Sequence, residues 1–229
     1  MIPLPFSLLI FDLDGTLVDS AEDIALSVNE LRGDLGRAPL PLETVQSYIG
    51  NGVRRLLARA LGSPDSGAAP TRTPPSETEL DLAVSRYLPI YRRRLLDHTR
   101  AYPGVPEAIE DLARSRTLAV LTNKPRQESL LILEGLSLAG HFSAVYGGDS
   151  FSHRKPHPAG VNHLLSELGG APKETLFVGD TSVDMETAAN ASVRSCLVSY
   201  GMGFAEAKEL EPDLVVDDLR DLARAVTPR

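Results

Sequence analysis

The stretch Leu8-Leu9-Ile10-Phe11-Asp12-Leu13-Asp14-Gly15-Thr16-Leu17-Val18-Asp19-Ser20 sets a run of apolar residues directly before two carboxylates and a glycine. A short, continuous apolar run without polar alternation fits a strand buried on both faces. Side chains at i and i+2 of a strand share a face, so Asp12 and Asp14 are expected to enter one cavity together. Two carboxylates that close repel unless a cation lies between them or one keeps its proton. The pattern suits a hard metal ion, with a carboxylate nucleophile and an acid/base partner beside it. Blander alternatives are an Asp-Gly hairpin turn and the opening of a calcium loop. The residues after Ser20 have helical periodicity, which disfavours the hairpin, and no Glu completes a calcium loop at the required distance.

Ser20-Ala-Glu-Asp23 has the spacing of a capping box, and Ile24, Val28, Leu31 and Leu35 follow at helical intervals. Residues 42–49 and 53–61 are expected to be helices separated by Gly50-Asn51-Gly52. The Pro-, Ser- and Thr-rich stretch Ser63–Glu77 has almost no large apolar residue and is expected to be a mobile loop. A helix over about 78–97 contains Pro89, where a kink is expected. From Tyr102-Pro103-Gly104 onward, helices at 105–115, 126–136, 159–168, 184–191 and 219–226 alternate with apolar strands at 118–121, 144–146, 175–178, 195–198 and 213–216. Such alternation predicts an α/β fold with a Rossmann-like parallel-sheet core covered on both faces. The core then comprises residues 1–16 and 100–229, and residues 17–99 form a small all-helical cap domain inserted after the first strand. Ligands of such sheets bind beyond the carboxyl ends of the strands, so the cap is expected to act as a lid.

Composition narrows the function. A formal charge of −8 disfavours nucleic-acid binding, which needs clustered Lys and Arg. It does not oppose an anionic substrate, because a bound cation outweighs net charge inside a site. The single cysteine, Cys196, lies in an apolar strand and excludes an intrachain disulfide. No apolar run approaches a membrane span. Residues 2–11 contain two prolines and neither Lys nor Arg, unlike a secretion signal, so the expected location is the cytoplasm.

Three later strand ends repeat the theme. Leu118–Leu121 ends in Thr122-Asn123, and Ala144–Tyr146 is followed by Gly147-Gly148-Asp149 and then Lys155-Pro156. Thr175–Val178 ends in Gly179-Asp180-Thr181-Ser182-Val183-Asp184, with two acids one helical turn apart. Taken singly, Thr122 reads as a helix N-cap, Lys155 as a solvated loop lysine and the acids as helix caps. Together, Asp-x-Asp-Gly-Thr, Thr-Asn, Lys-Pro and Gly-Asp-x-x-x-Asp form an ordered set that resembles the haloacid-dehalogenase-like phosphohydrolases.

The resemblance implies that Asp12 attacks phosphorus to form an aspartyl-phosphate and that Asp14 acts as general acid, then general base. It implies Mg²⁺ held by Asp12, the Asp14 carbonyl, Asp180 and Asp184, and phosphoryl contacts from Thr16, Thr122, Asn123 and Lys155. The second Asp favours phosphate esters over haloacids or phosphonates. Asn51-Gly-Val-Arg54-Arg55, Thr122-Asn-Lys-Pro125, Gly147-Gly-Asp-Ser150, Lys155-Pro-His-Pro158 and Ser199-Tyr-Gly201 further resemble phosphoglycolate phosphatases over most of the chain. The implied partner is a small phosphorylated metabolite, first 2-phosphoglycolate, acted on by a monomer or homodimer. Arg54 or Arg55 is the candidate for its carboxylate, with surface charge on an amphipathic helix the equal alternative for either arginine, and Asn51 is a further candidate for substrate binding. Two other functions share the motifs: a β-phosphoglucomutase-type isomerase and a non-catalytic regulatory domain on the same fold. His153 and His157 flank Lys155, but the remaining histidines are scattered, so loop histidines are favoured over a zinc site.

Overall fold

A computed structural model of the protein describes residues 6–62 and 75–226. Most of the Pro-, Ser- and Thr-rich stretch expected to be a loop lies outside them. Along the chain, β1 (Leu8–Phe11) and β2 (Val18–Asp19) precede four helices, α1 (Ala21–Asp34), α2 (Leu42–Gln46), α3 (Val53–Gly62) and α4 (Glu77–Arg94). There follow β3 (Arg100–Ala101), α5 (Val105–Ala113), β4 (Thr117–Leu121), α6 (Arg126–Gly135) and β5 (Ala144–Tyr146). The chain continues with α7 (Ala159–Leu168), β6 (Thr175–Gly179), α8 (Ser182–Asn190) and β7 (Arg194–Val198). It closes with α9 (Phe204–Ala207), β8 (Leu214–Val216) and α10 (Leu219–Val226). Two compact units result, divided between Asp19 and Ser20 and again between Arg100 and Ala101.

The larger unit is built on the expected parallel sheet, with strand order β5-β4-β1-β6-β7-β8. Every pairing in it is parallel. All of β1 and β6 is buried, as continuous apolar strands covered on both faces must be. Leu8, Ile10, Ala119, Leu121 and Phe177 project from one face of the sheet onto Val161 and Leu164 of α7 and Ala188 of α8. Chain order places β4 and β5 on one side of β1, then returns to set β6, β7 and β8 on the other. The carboxyl ends of β4, β1 and β6 are therefore neighbours at a topological switch point, where sheets of this kind bind ligands. Cys196 is fully buried in β7, and burial pushes its thiol up to about 12.

The regular elements described in the smaller unit are helices, apart from Arg100, which opens β3. Ile24, Val28 and Leu31 of α1 are buried at helical spacing, whereas Leu35, expected to continue that stripe, is the C-cap of α1 and exposed. The helix expected over 42–49 stops at Gln46, because Tyr48 and Ile49 donate to carbonyls three residues back and Gly50 takes φ +100°. In α4, Ser76 and Glu79 form a capping box, and Pro89 lies inside the helix. The capping box expected at Ser20 and Asp23 does not form. Asp23 turns instead to the far end of the unit, where its buried carboxylate accepts from the backbone N–H of His98 and Thr99 and from the Thr99 hydroxyl at 2.7 Å. A dedicated buried acceptor of three donors outcompetes a local cap, which satisfies only one N–H. Replacing Asp23 with Ala would orphan those donors, and urea titration should show a loss of about 2–4 kcal/mol of stability.

Candidate active site

Asp12 is the first residue beyond β1, and its N–H donates to the carbonyl of Val178 at 2.9 Å, extending the β1–β6 ladder by one step. The ladder thereby sets Asp12 beside Asp180, the first residue beyond β6. Asp184 stands in the first turn of α8. Carboxylate oxygens of Asp12, Asp180 and Asp184 lie within 4.8 Å of one another, and all three residues are buried. Lys155, also buried, reaches them from the loop after β5: its Nζ is 2.9 Å from Asp12 Oδ1 and donates to Asp184 Oδ1 at 2.6 Å. The other Asp184 oxygen accepts from the N–H of Asp180 and Thr181 and from the Thr181 hydroxyl at 2.7 Å, a capping box at the start of α8.

Three formal negative charges thus share a buried space with one ammonium. Burial pushes the Asp12 carboxyl up to about 6; Lys155 opposes the rise, and Asp184 adds to it. Asp180 is carried well above the ordinary carboxylate range by burial, then by Asp184 and Asp12. Burial alone would lower Lys155, yet Asp12 and Asp184 hold it above its usual value and so keep it charged.

The turn after Asp12 does not continue the strand. β1 ends at Phe11, Gly15 takes φ +88°, and the N–H of Gly15 donates to the carbonyl of Val18 at 2.9 Å. Strand alternation consequently stops short of Asp14, whose carboxylate is outside the acid group. Its Oδ1 accepts instead from Lys124 Nζ at 2.7 Å, with both residues buried. Thr16 Oγ1 donates to Asp180 Oδ1 at 3.1 Å, and the Met202 N–H donates to Asp180 Oδ2 at 2.8 Å. Beyond β4, Thr122 and Asn123 are buried; Thr122 Oγ1 accepts from the N–H of Lys124, and Asn123 Nδ2 donates to the carbonyl of Lys155 at 3.1 Å. Thr122 is not an N-cap, a position held by Pro125.

The cap candidates have partners within their own unit. Arg54 is ion-paired with Glu77 and Asp81, and the exposed Arg55 donates to Asn51 Oδ1 at 3.2 Å. His153 and His157 stack with ring centroids 4.2 Å apart and take no part in the acid group. Lys124 and the backbone of Met202 were not singled out from sequence. Lys124 stood inside the quoted Thr122-Asn-Lys-Pro run, but nothing local shows that its ammonium goes to Asp14.

A family model described as haloacid dehalogenase-like hydrolase matches residues 9–198. The chain belongs to that family. It is 36% identical to the phosphoglycolate phosphatase of Agrobacterium fabrum, covering 96% of this chain and 91% of that protein. Identity to the phosphoglycolate phosphatase of Nitrosospira multiformis is also 36%, over 98% of this chain and 97% of the relative. A crystal structure described as a predicted phosphoglycolate phosphatase from Haemophilus somnus superposes with a TM-score of 0.89 at 34% identity, covering 97% of this chain and 99% of that one.

Haloacid dehalogenase-like hydrolases that act on phosphate esters use a divalent cation, and the residues present fit one. The donors are hard oxygens, their negative charge exceeds the single ammonium beside them, and Asp12 and Asp180 are raised as uncompensated acids are. In the cation-free protein, the raised Asp12 carboxyl binds its proton more tightly folded than unfolded. That contribution to stability is whole below the ordinary carboxylate range and is lost as pH rises through about 6. A divalent cation requires the deprotonated acids and offsets the loss. Thermal melts with and without Mg²⁺ should therefore show a larger rise in Tm well above pH 6 than well below it. The rise should vanish in Asp180→Asn.

Proposed function

We propose that this hydrolase is a Mg²⁺-dependent phosphatase that cleaves a small phosphomonoester through an aspartyl-phosphate on Asp12, with 2-phosphoglycolate as the first candidate substrate. What carries the proposal is the convergence of Asp12 with Asp180, Asp184 and Lys155 at adjoining strand ends. The two relatives named above, both phosphoglycolate phosphatases, support the choice of substrate.

Each role is the one the family resemblance implies, and the chemistry of the group supports it. Asp12 is the carboxylate at the head of the acid group, and as nucleophile it attacks phosphorus and expels the alcohol. Asp14 gives that alcohol its proton, then takes one from the water that hydrolyses the acyl phosphate. Lys124, which pairs with Asp14, holds the carboxyl in place between the two steps. Thr122, Asn123 and the ammonium of Lys155 receive the phosphoryl oxygens, whose charge is redistributed as the bond to the leaving group breaks. The Asp12 and Asp180 carboxylates and the Asp14 carbonyl would hold the cation, with Asp184 beside them. When bound, that cation supplies positive charge that lets an anionic nucleophile meet an anionic substrate.

Phosphate release from a panel of phosphorylated metabolites, with and without chelator, tests the proposal. Activity should require the cation and be highest on 2-phosphoglycolate. Asp12→Asn should lower turnover by at least about a thousandfold without loss of fold, and Lys155→Met by about a hundredfold. Full activity in Asp12→Asn would overturn the covalent route. Conversion of β-glucose 1-phosphate to glucose 6-phosphate without phosphate release would mark an isomerase instead.

A further inference from the structure

The loop after β7 contains Ser199-Tyr-Gly201, a part of the sequence pattern that the chemistry above leaves unused. It meets the site at two points. The Met202 N–H donates to Asp180 Oδ2 at 2.8 Å, and the Tyr200 phenol donates to the carbonyl of Thr16 at 2.9 Å. Thr16 in turn donates its hydroxyl to Asp180 Oδ1 at 3.1 Å. Each oxygen of Asp180 is thus held, one by the loop itself and one by a residue whose carbonyl the loop holds. The circuit joins three segments distant in sequence: the turn that carries Asp14, the end of β6 and the loop after β7.

Nothing in that circuit has spare room. A β-carbon at Gly15 or at Gly201 would collide with the Asp180 side chain, so both backbones press against the acid. The Tyr200 ring packs on Tyr102 with centroids 4.7 Å apart, and the Tyr102 N–H donates to the carbonyl of Leu17 at 3.1 Å. Burial raises the Tyr200 phenol, which therefore stays protonated and remains a donor. Inside the turn, Leu17 and Val18 donate back to Leu13 and Gly15 donates to Val18. These bonds shape the turn but do not anchor it to the sheet. Anchoring comes from outside: the Lys124 ion pair holds the Asp14 side chain, and Tyr200, Tyr102 and the Thr16–Asp180 bond hold the backbone that follows it.

We infer that Tyr200 is a positioning residue for Asp14: its hydroxyl, by holding the Thr16 carbonyl, fixes the turn that presents the Asp14 carboxyl to the leaving oxygen. Proton transfer to a leaving group falls steeply with misplacement, so a looser turn lowers turnover more than it weakens phosphate binding, to which Thr122, Asn123 and Lys155 outside the turn contribute. The effect on turnover rests on the phosphatase function proposed above. The hold on the turn does not, and it can be read separately.

Tyr200→Phe removes the hydroxyl and keeps the ring stack. In this variant kcat should fall by about five- to tenfold while KM stays within about twofold. Hydrogen exchange followed by mass spectrometry, on the protein with Mg²⁺, should show faster exchange in peptides covering residues 12–18 and unchanged exchange in those covering β4 and β7. Unchanged exchange at 12–18 would overturn the inference, as would unchanged kcat in an active protein. A rise in KM at constant kcat would also overturn it, by making Tyr200 a substrate contact, and faster exchange throughout the sheet would reduce Tyr200 to a general packing role. If the wild-type protein released no phosphate from any ester, the phosphatase proposal would fail, and exchange at 12–18 would still decide whether Tyr200 holds the turn.

Discussion

Mutual repulsion among buried carboxylates is the constraint around which the larger unit is organised. Asp12, Asp180 and Asp184 are brought within 4.8 Å of one another in a buried space, against a single neutralising ammonium. Left to themselves such groups would move apart or take up protons. They stay because each is fixed by backbone that cannot yield. Asp12 continues a ladder between two fully buried strands, and Asp184 accepts two backbone N–H groups at the start of α8. Asp180 is walled by Gly15 and Gly201, where no β-carbon fits. The helix start adds partial positive charge next to Asp184. Strand ends and a helix start fix Asp12 and Asp184, and turn and loop backbone closes around Asp180.

The two buried lysines divide the acids between them. Lys155 serves Asp12 and Asp184, whereas Lys124 serves Asp14. This separation gives the two carboxylates of the Asp-x-Asp pair different surroundings, one crowded by like charges and one with a cation of its own.

Within the helical unit, charge is settled locally. Arg54 is drawn to Glu77 and Asp81, Glu30 receives Arg93 and Arg94 at 2.6 Å each, and Asp23 closes the far end through Thr99. Glu30 is held below the usual carboxylate range by its hydrogen bond to Arg94. No described helix is long and apolar enough to cross a membrane.

Sequence by itself determined the parallel α/β core, the positions of the central strands and the acids at their ends. Those features depend on local pattern: a continuous apolar run as short as Leu8–Phe11 or Thr175–Val178, alternating with helical segments, fits a strand covered on both faces, and a polar residue straight after it emerges at the strand's end. Only the tertiary structure decided who pairs with whom. Asp14 faces Lys124, 110 residues away, because the chain leaves strand geometry at Phe11 and the alternation of a strand no longer applies. Asp23 forsakes Ser20 for Thr99, and Tyr200 reaches Thr16 across 184 residues. Side-chain partners are chosen by burial and by competing donors brought close by folding, and neither quantity exists in a chain read one residue after another.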